Sequence, residues 1–337
     1  MLAALFNGNK NFELCDYKLR DLKNDEILVK VTNCGICGTD KHIYEGKAES
    51  SIPVIPGHEY SGIIEKTGRD VQNLKPGMKI AVDPNIYCGK CNYCRKGMIN
   101  FCDNLRALGV TLNGGFAEYS IVPESQAYLL PENMDLSTAA FAEPLSCCLR
   151  GINQAEIKPG NSVVIIGGGS IGLMMIQLAR ISGGSNIILI EPDQSKQDLA
   201  RLLGADYTLS PDHKNIKEIL NQLTSDQVDV VIECVGSNKT VSDAIDFAGK
   251  SGKVIIFGLA PYDQAVSINL QSVFKKELKI INSYLNPFTF KPAIDLLAQQ
   301  KIEVNKLITQ RITLNDVPDY FSSFQNLSNI KVQLIIN

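Results

Sequence analysis

Histidine is scarce in this chain of 337 residues: His42, His58 and His213 are the only three. A metal or proton-transfer site that needs an imidazole therefore has few positions to draw on. Clusters of positive charge are missing as well. The 33 basic and 36 acidic residues are interspersed, and the net charge is −3. That balance removes the electrostatic reason to expect nucleic acid or an anionic membrane as partner. Met1–Lys10 lacks the basic region and long apolar stretch of a secretory signal. One uncharged run, Asn161–Ala179, reaches membrane-spanning length at nineteen residues. Gly167, Gly168, Gly169 and Gly172 divide it, and a short strand turning into a helix explains it better.

What is present is a globular composition, 45% hydrophobic and 20% charged. The length is too great for one ordinary core, so two domains are expected. Residues 1–149 carry short β-type runs separated by Gly and Pro: Glu26–Asn33, Tyr60–Thr67, Lys79–Val82 and Ala117–Val122. That texture predicts an irregular, mostly β domain with long functional loops. From Gly151 strands and helices alternate. Ser162–Ile166, Asn186–Ile190, Val228–Glu233 and Lys253–Phe257 read as strands, and Ser195–Leu203 as a helix closed by Gly204. Repeated βαβ units imply a parallel sheet covered by helices on both faces, hence an α/β chain. The tail, 285–337, resumes the first texture and is expected to fold back onto residues 1–149. Residues 150–284 would then form the inserted domain.

Ten cysteines occur, and four of them stand close together. Cys88, Cys91, Cys94 and Cys102 lie within fifteen residues. Four thiolates can close a tetrahedron around zinc and leave no position for water, which marks a structural site. An iron–sulfur cluster or a nucleic-acid zinc ribbon uses related spacings, but the acidic surroundings speak against the ribbon. With Cys37 assigned to a second metal, Cys15, Cys34, Cys147, Cys148 and Cys234 remain. An odd remainder suggests no disulfide framework and points to a reducing, cytoplasmic setting.

Three scattered pieces supply ligands of catalytic type. They are Cys34-Gly-Ile-Cys37-Gly-Thr-Asp-Lys-His42, Gly57-His58-Glu59 and Glu143-Pro144-Leu145-Ser146. A catalytic zinc takes about three protein ligands and keeps one exchangeable position. Cys37, His58 and one of Glu59 or Glu143 meet that need, and thiolate plus carboxylate bring the ion near neutrality. All four together would fill the site, so the two glutamates are expected to share the third position. Taken singly each residue has a plainer reading: a Cys34/Cys37 redox pair, a turn histidine, a surface carboxylate before proline.

Gly167-Gly168-Gly169-Ser170-Ile171-Gly172 follows a predicted strand, opens a helix and fits G-x-G-x-x-G. Glycines permit the tight turn, and a helix N-terminus favours a pyrophosphate. Glu191, nineteen residues after Gly172, ends the next strand. A carboxylate there accepts hydrogen bonds from ribose hydroxyls and repels an added phosphate. Lys196 is the one close cation, so NAD is favoured over NADP.

In this order and over essentially the whole chain, these motifs resemble the zinc-containing medium-chain alcohol and polyol dehydrogenases. The resemblance implies a GroES-like catalytic domain, a doubly wound Rossmann domain, one catalytic and one structural zinc, and a dimer or tetramer. Glu143-Pro144-Leu145-Ser146 is similar to the sorbitol dehydrogenase branch, where Cys37, His58 and Glu59 would ligate zinc and Glu143 would hold the water. By position, Thr39 and His42 match a proton relay, while Gly167, Gly169, Ile171, Gly172, Glu191, Lys196, Phe257, Gly258, Leu259, Ser283 and Tyr284 match cofactor-contacting positions. Two departures bear on substrate: Ile43 stands where animal sorbitol dehydrogenases carry Tyr, and Ser283 where they carry Arg. Threonine dehydrogenases share Gly38-Thr39-Asp40, His42-Ile43-Tyr44-Glu45 and Glu143-Pro144-Leu145. The expected activity is hydride transfer from a polyol or other secondary alcohol, a small-molecule partner, to NAD, giving a ketone and NADH. A threonine 3-dehydrogenase-like enzyme is the alternative, and a non-enzymatic zinc and nucleotide binder a more distant one.

Overall fold

The computed structural model describes residues 1–259, 265–323 and 329–336. It divides into two compact units: Met1–Ser146 with Pro287–Asn337, and Cys147–Asn286.

The second unit is built on a six-stranded sheet. In chain order its strands are Ser162–Ile166, Asn186–Ile190, Tyr207–Leu209, Val230–Glu233, Lys253–Ile256 and Lys279–Asn282. Side by side they run 3-2-1-4-5-6, and every pair is parallel. That is the doubly wound dinucleotide-binding order, with its switch point between the first and fourth strands. The Ser162–Ile166 run is buried at every position, as a parallel sheet covered on both faces requires. The uncharged stretch resolves into this strand, a glycine turn and the helix Ser170–Ile181. Gly172–Ala179 of that helix are all buried. Among the described residues no helix is long and apolar enough to cross a membrane.

The first unit is β-rich. Ile308–Ile312, Lys331–Ile335, Glu26–Gly35, Glu59–Thr67, Lys79–Val82 and Ala127–Leu129 lie in that order, and Tyr119–Pro123 also pairs with Glu26–Gly35. The last strand predicted in this stretch, Ala117–Val122, therefore begins two residues later than its apolar pattern suggests. Glu26–Gly35 is the hub. Its far end, Asn33–Gly35, pairs antiparallel with both Glu59–Ser61 and Gln333–Ile335. A C-terminal segment thus reaches the strand that leads into Cys37.

An aromatic cluster supports the short helix Gly38–Tyr44 that follows. Tyr44 stacks on Phe12 at 5.9 Å, and Phe12 meets Phe321 at 4.7 Å between ring centroids. Ile43 is 2% exposed and belongs to the same core. This departure from the animal sorbitol dehydrogenase pattern is therefore a packing residue here, not a surface for substrate.

Candidate metal centres and nucleotide-binding turn

The strand Glu26–Gly35 and its antiparallel partner place Gly35 directly opposite Glu59. A Cβ on Gly35 would overlap the Glu59 carboxylate, so glycine there opens the space that the carboxylate fills. Cys37 then starts the helix Gly38–Tyr44, its N–H donating to Asp40 Oδ2 at 2.9 Å. The outcome is a convergence: the ligand atoms of Cys37, His58 and Glu59 all lie within 4.8 Å of one another. His58 and Glu59 are buried, at 6% and 1% exposure.

Electrostatically this pocket favours a cation. Burial lowers the His58 pKa, but Asp40 and Cys37 outweigh it and hold the imidazole well above its ordinary value. Asp40 Oδ1 stands 3.5 Å from His58 Nδ1, placed to orient the ring as an outer partner of a ligand does. Thiolate, imidazole and carboxylate make the donor set of a catalytic zinc, and the residues fit it. Glu143 is buried in the first turn of the helix Ala142–Ala155. It is not among the atoms that gather within 4.8 Å. The Thr39 hydroxyl lies 3.7 Å from Cys37 Sγ, and His42, half-buried, follows three residues on in the same helix, where side chains share a face.

Lys331 escaped the sequence reading. It is 4% exposed, and its ammonium forms an ion pair with Glu59 Oε2. Burial lowers the Lys331 pKa, yet the charges of Glu59, Cys37 and Asp40 leave it raised. Lys331 therefore holds one oxygen of the carboxylate that gathers with Cys37 and His58. The signal, a lone lysine opening the apolar run Lys331-Val-Gln-Leu-Ile, reads on sequence as an edge residue in solvent. Replacing Lys331 by Met is expected to weaken zinc binding at this centre about 10- to 100-fold, the usual cost of removing an outer partner. Lys331→Arg should retain most of the affinity. Chelator competition with metal counted per chain checks this, and equal affinity in the Met variant would contradict it.

The second cluster is Cys88, Cys91, Cys94 and Cys102, their sulfurs again within 4.8 Å of one another. Backbone N–H groups of Cys88, Cys91, Cys94 and Asn104 donate to these sulfurs at 3.2–3.5 Å. The N–H groups of Lys90 and Cys91 bring the Cys88 thiol down to about 6. Burial, then the neighbouring Cys91 and Cys102 sulfurs, push Cys94 up to about 12. A cation resolves that conflict by deprotonating all four, and the set suits a closed structural zinc.

In the second unit the glycine turn follows the first strand. Gly169 caps the helix Ser170–Ile181, and Gly167 has φ +101°. A Cβ on Gly172 would overlap the Gly167 carbonyl, so the helix can start this close to the strand only with glycine. Glu191 is buried at the end of the second strand. It accepts the Gly168 N–H at 2.6 Å on Oε2 and the Asp193 N–H at 3.0 Å on Oε1. Carboxylate and turn are therefore brought together, as a ribose and pyrophosphate site needs. Lys196 lies in the first turn of the helix Gln194–Leu202. Phe257 and Gly258 are half-buried, Leu259 and Tyr284 exposed, and Ser283 Oγ is buried and, among the described residues, without a hydrogen-bond partner.

Comparisons with known proteins find two families along the chain. The alcohol dehydrogenase GroES-like domain family matches residues 23–132, and the zinc-binding dehydrogenase family matches residues 170–299. Sorbitol dehydrogenase of Halalkalibacterium halodurans is 33% identical over 92% of this chain and 91% of its own length. L-threonine 3-dehydrogenase of Pyrococcus abyssi is 35% identical over 74% of this chain and 73% of its own. A Sinorhizobium meliloti 1021 structure with NADP bound is 39% identical with a TM-score of 0.96, covering 99% of this chain and 98% of that one. Matches of this extent, falling on both the GroES-like and the Rossmann halves, make the chain a member of the zinc-dependent medium-chain dehydrogenase family, in its polyol branch.

Proposed function

We propose that the chain oxidises a polyol or other secondary alcohol to the ketone, with NAD as hydride acceptor. The observation that carries this reading is the convergence of Cys37, His58 and Glu59. Zinc held by them would supply charge stabilisation to the substrate oxygen, and the dinucleotide would supply the hydride acceptor. The chain's own residues handle the proton. Thr39 Oγ1, next to Cys37, receives it and passes it to His42. Burial, with Lys47 and Lys41 adding to it against Glu45, holds the His42 imidazole below its ordinary value. It is therefore neutral at pH 7 and able to accept a proton. Glu143, in this reading, orders the water that substrate displaces. The five thiols outside the two clusters support a reducing, cytoplasmic setting.

Glu191 supports NAD over NADP, because its carboxylate would meet the added phosphate as a like charge. A threonine-type reaction is the second reading, favoured by the Pyrococcus abyssi relative; the sorbitol dehydrogenase match extends over more of the chain. One assay separates them. The chain is incubated with NAD or NADP and a panel of polyols, simple secondary alcohols and threonine, and absorbance of the reduced cofactor is followed. The expected result is turnover of a polyol, with kcat/KM about 100-fold higher for NAD, since like-charge contacts cost several kcal/mol. Turnover of threonine alone, or a preference for NADP, would overturn the corresponding half of the reading.

A further inference from the structure

The fourth strand of the nucleotide-binding unit ends on Glu233, a carboxylate outside every motif named above. It is 0% exposed and pairs in register with Ile166, the last residue of the first strand. These two strands flank the switch point, where ligands settle in such sheets. A buried charge there is costly unless it is paired. Glu233 Oε1 accepts three hydrogen bonds, from the Val235 N–H at 2.8 Å, the Gly236 N–H at 2.9 Å and the Thr240 hydroxyl at 2.8 Å. Its backbone carbonyl accepts two more, from Phe257 N–H at 2.9 Å and Gly258 N–H at 3.0 Å. A single residue thus ties the loop after the fourth strand to the loop after the fifth.

Those loops are in close contact. A Cβ on Gly236 would overlap the backbone of Leu259, and one on Gly258 the backbone of Gly236. The first loop also leans on the glycine turn, since a Cβ on Gly167 would come within 2.7 Å of Val235 Cγ2. Among the described residues Oε2 is buried without a partner, so within them the donors at Oε1 offset the charge. Charge-assisted bonds of this kind are roughly twice as strong as neutral ones.

We propose that Glu233 is a positioning residue for the dinucleotide, its carboxylate holding three loops, Gly167–Gly169, Cys234–Ser237 and Phe257–Leu259, in the shape that binds the cofactor. The proposal rests on the reading that this unit binds NAD. Glu233→Gln keeps the shape and removes the charge, Thr240→Val removes one donor, and Thr240→Ser restores it. The test is isothermal titration of the full chain with NAD, alongside kinetics at saturating alcohol and thermal melting.

In Glu233→Gln and Thr240→Val the NAD Kd should rise about tenfold, the ratio expected for loss of one hydrogen bond to a charged group. KM for NAD should rise in step with it, kcat should change far less, and Thr240→Ser should bind like the parent. Either folded variant binding NAD within about twofold of the parent, with only its melting temperature lowered, would overturn the proposal in favour of a purely structural role. A parent chain that binds no NAD would overturn it at the earlier step, the cofactor reading itself.

Discussion

His58→Ala is expected to lower kcat/KM for the accepted alcohol by at least about 10³-fold, because metal charge stabilisation is worth several kcal/mol and each 1.36 kcal/mol is tenfold. The reason is geometric. His58 is buried between Asp40 and Cys37, and the pocket offers no second imidazole: among the described residues its ligand cluster comprises only Cys37, His58 and Glu59. Losing one of three ligands leaves a thiolate and a carboxylate, too few to hold zinc against solvent. Metal analysis should therefore fall from two ions per chain to one. The core beneath the site is aromatic and aliphatic and does not include His58, so circular dichroism and melting should stay near the parent's. Near-normal activity in a variant with one zinc would sink the assignment.

Cys94→Ser should give the opposite signature, a large loss of stability. From Cys88 to Cys102 only Asn100 and Cys102 are buried, while Tyr87, Tyr93, Met98 and Phe101 in and beside this lobe are exposed. The lobe has almost no apolar core of its own, so a metal held by the four sulfurs would supply its order. Structural zinc contributes on the order of 10 kcal/mol of apparent binding energy in isolated peptides. Losing even a third of that here should lower the melting temperature by roughly 10 °C, at about 2–4 °C per kcal/mol for a unit of this size. Limited proteolysis should then cut between Cys88 and Cys102, where the parent resists. A variant as protease-resistant and thermostable as the parent would mean that the four sulfurs hold no metal. The two substitutions separate the two centres: one removes turnover and spares the fold, the other destabilises the fold first.

Legibility in the sequence followed burial. Ser162–Ile166 and Asn186–Ile190 were readable to the residue, since a parallel strand covered on both faces must be an unbroken apolar run. Tyr207–Leu209 and Lys279–Asn282 were not. They are the edge strands of the same sheet, three and four residues long and partly exposed, and mixed composition suits an edge. The helices Ile216–Thr224 and Leu270–Lys276 were missed as well, being segments of nine and seven residues in which polar side chains interrupt the apolar ones. At the catalytic-type centre the residues alone left Glu59 and Glu143 open as third ligand and the resemblance favoured Glu59; the cross-strand pairing of Gly35 with Glu59 is what brings that carboxylate to Cys37 and His58. Lys331 and Glu233 were hidden for a shared reason. Each is a charged residue at the end of an apolar strand, a place where sequence pattern implies solvent and the fold provides partners.

X-ray absorption at the zinc edge on the full chain tests the central claim most directly. Five thiolates shared by two metals predict about 2.5 sulfur neighbours per zinc near 2.3 Å, with nitrogen and oxygen near 2.0–2.1 Å completing the shells. An average of four sulfurs per zinc, with a single zinc per chain, would mean that Cys37, His58 and Glu59 do not hold the metal on which the proposed chemistry depends.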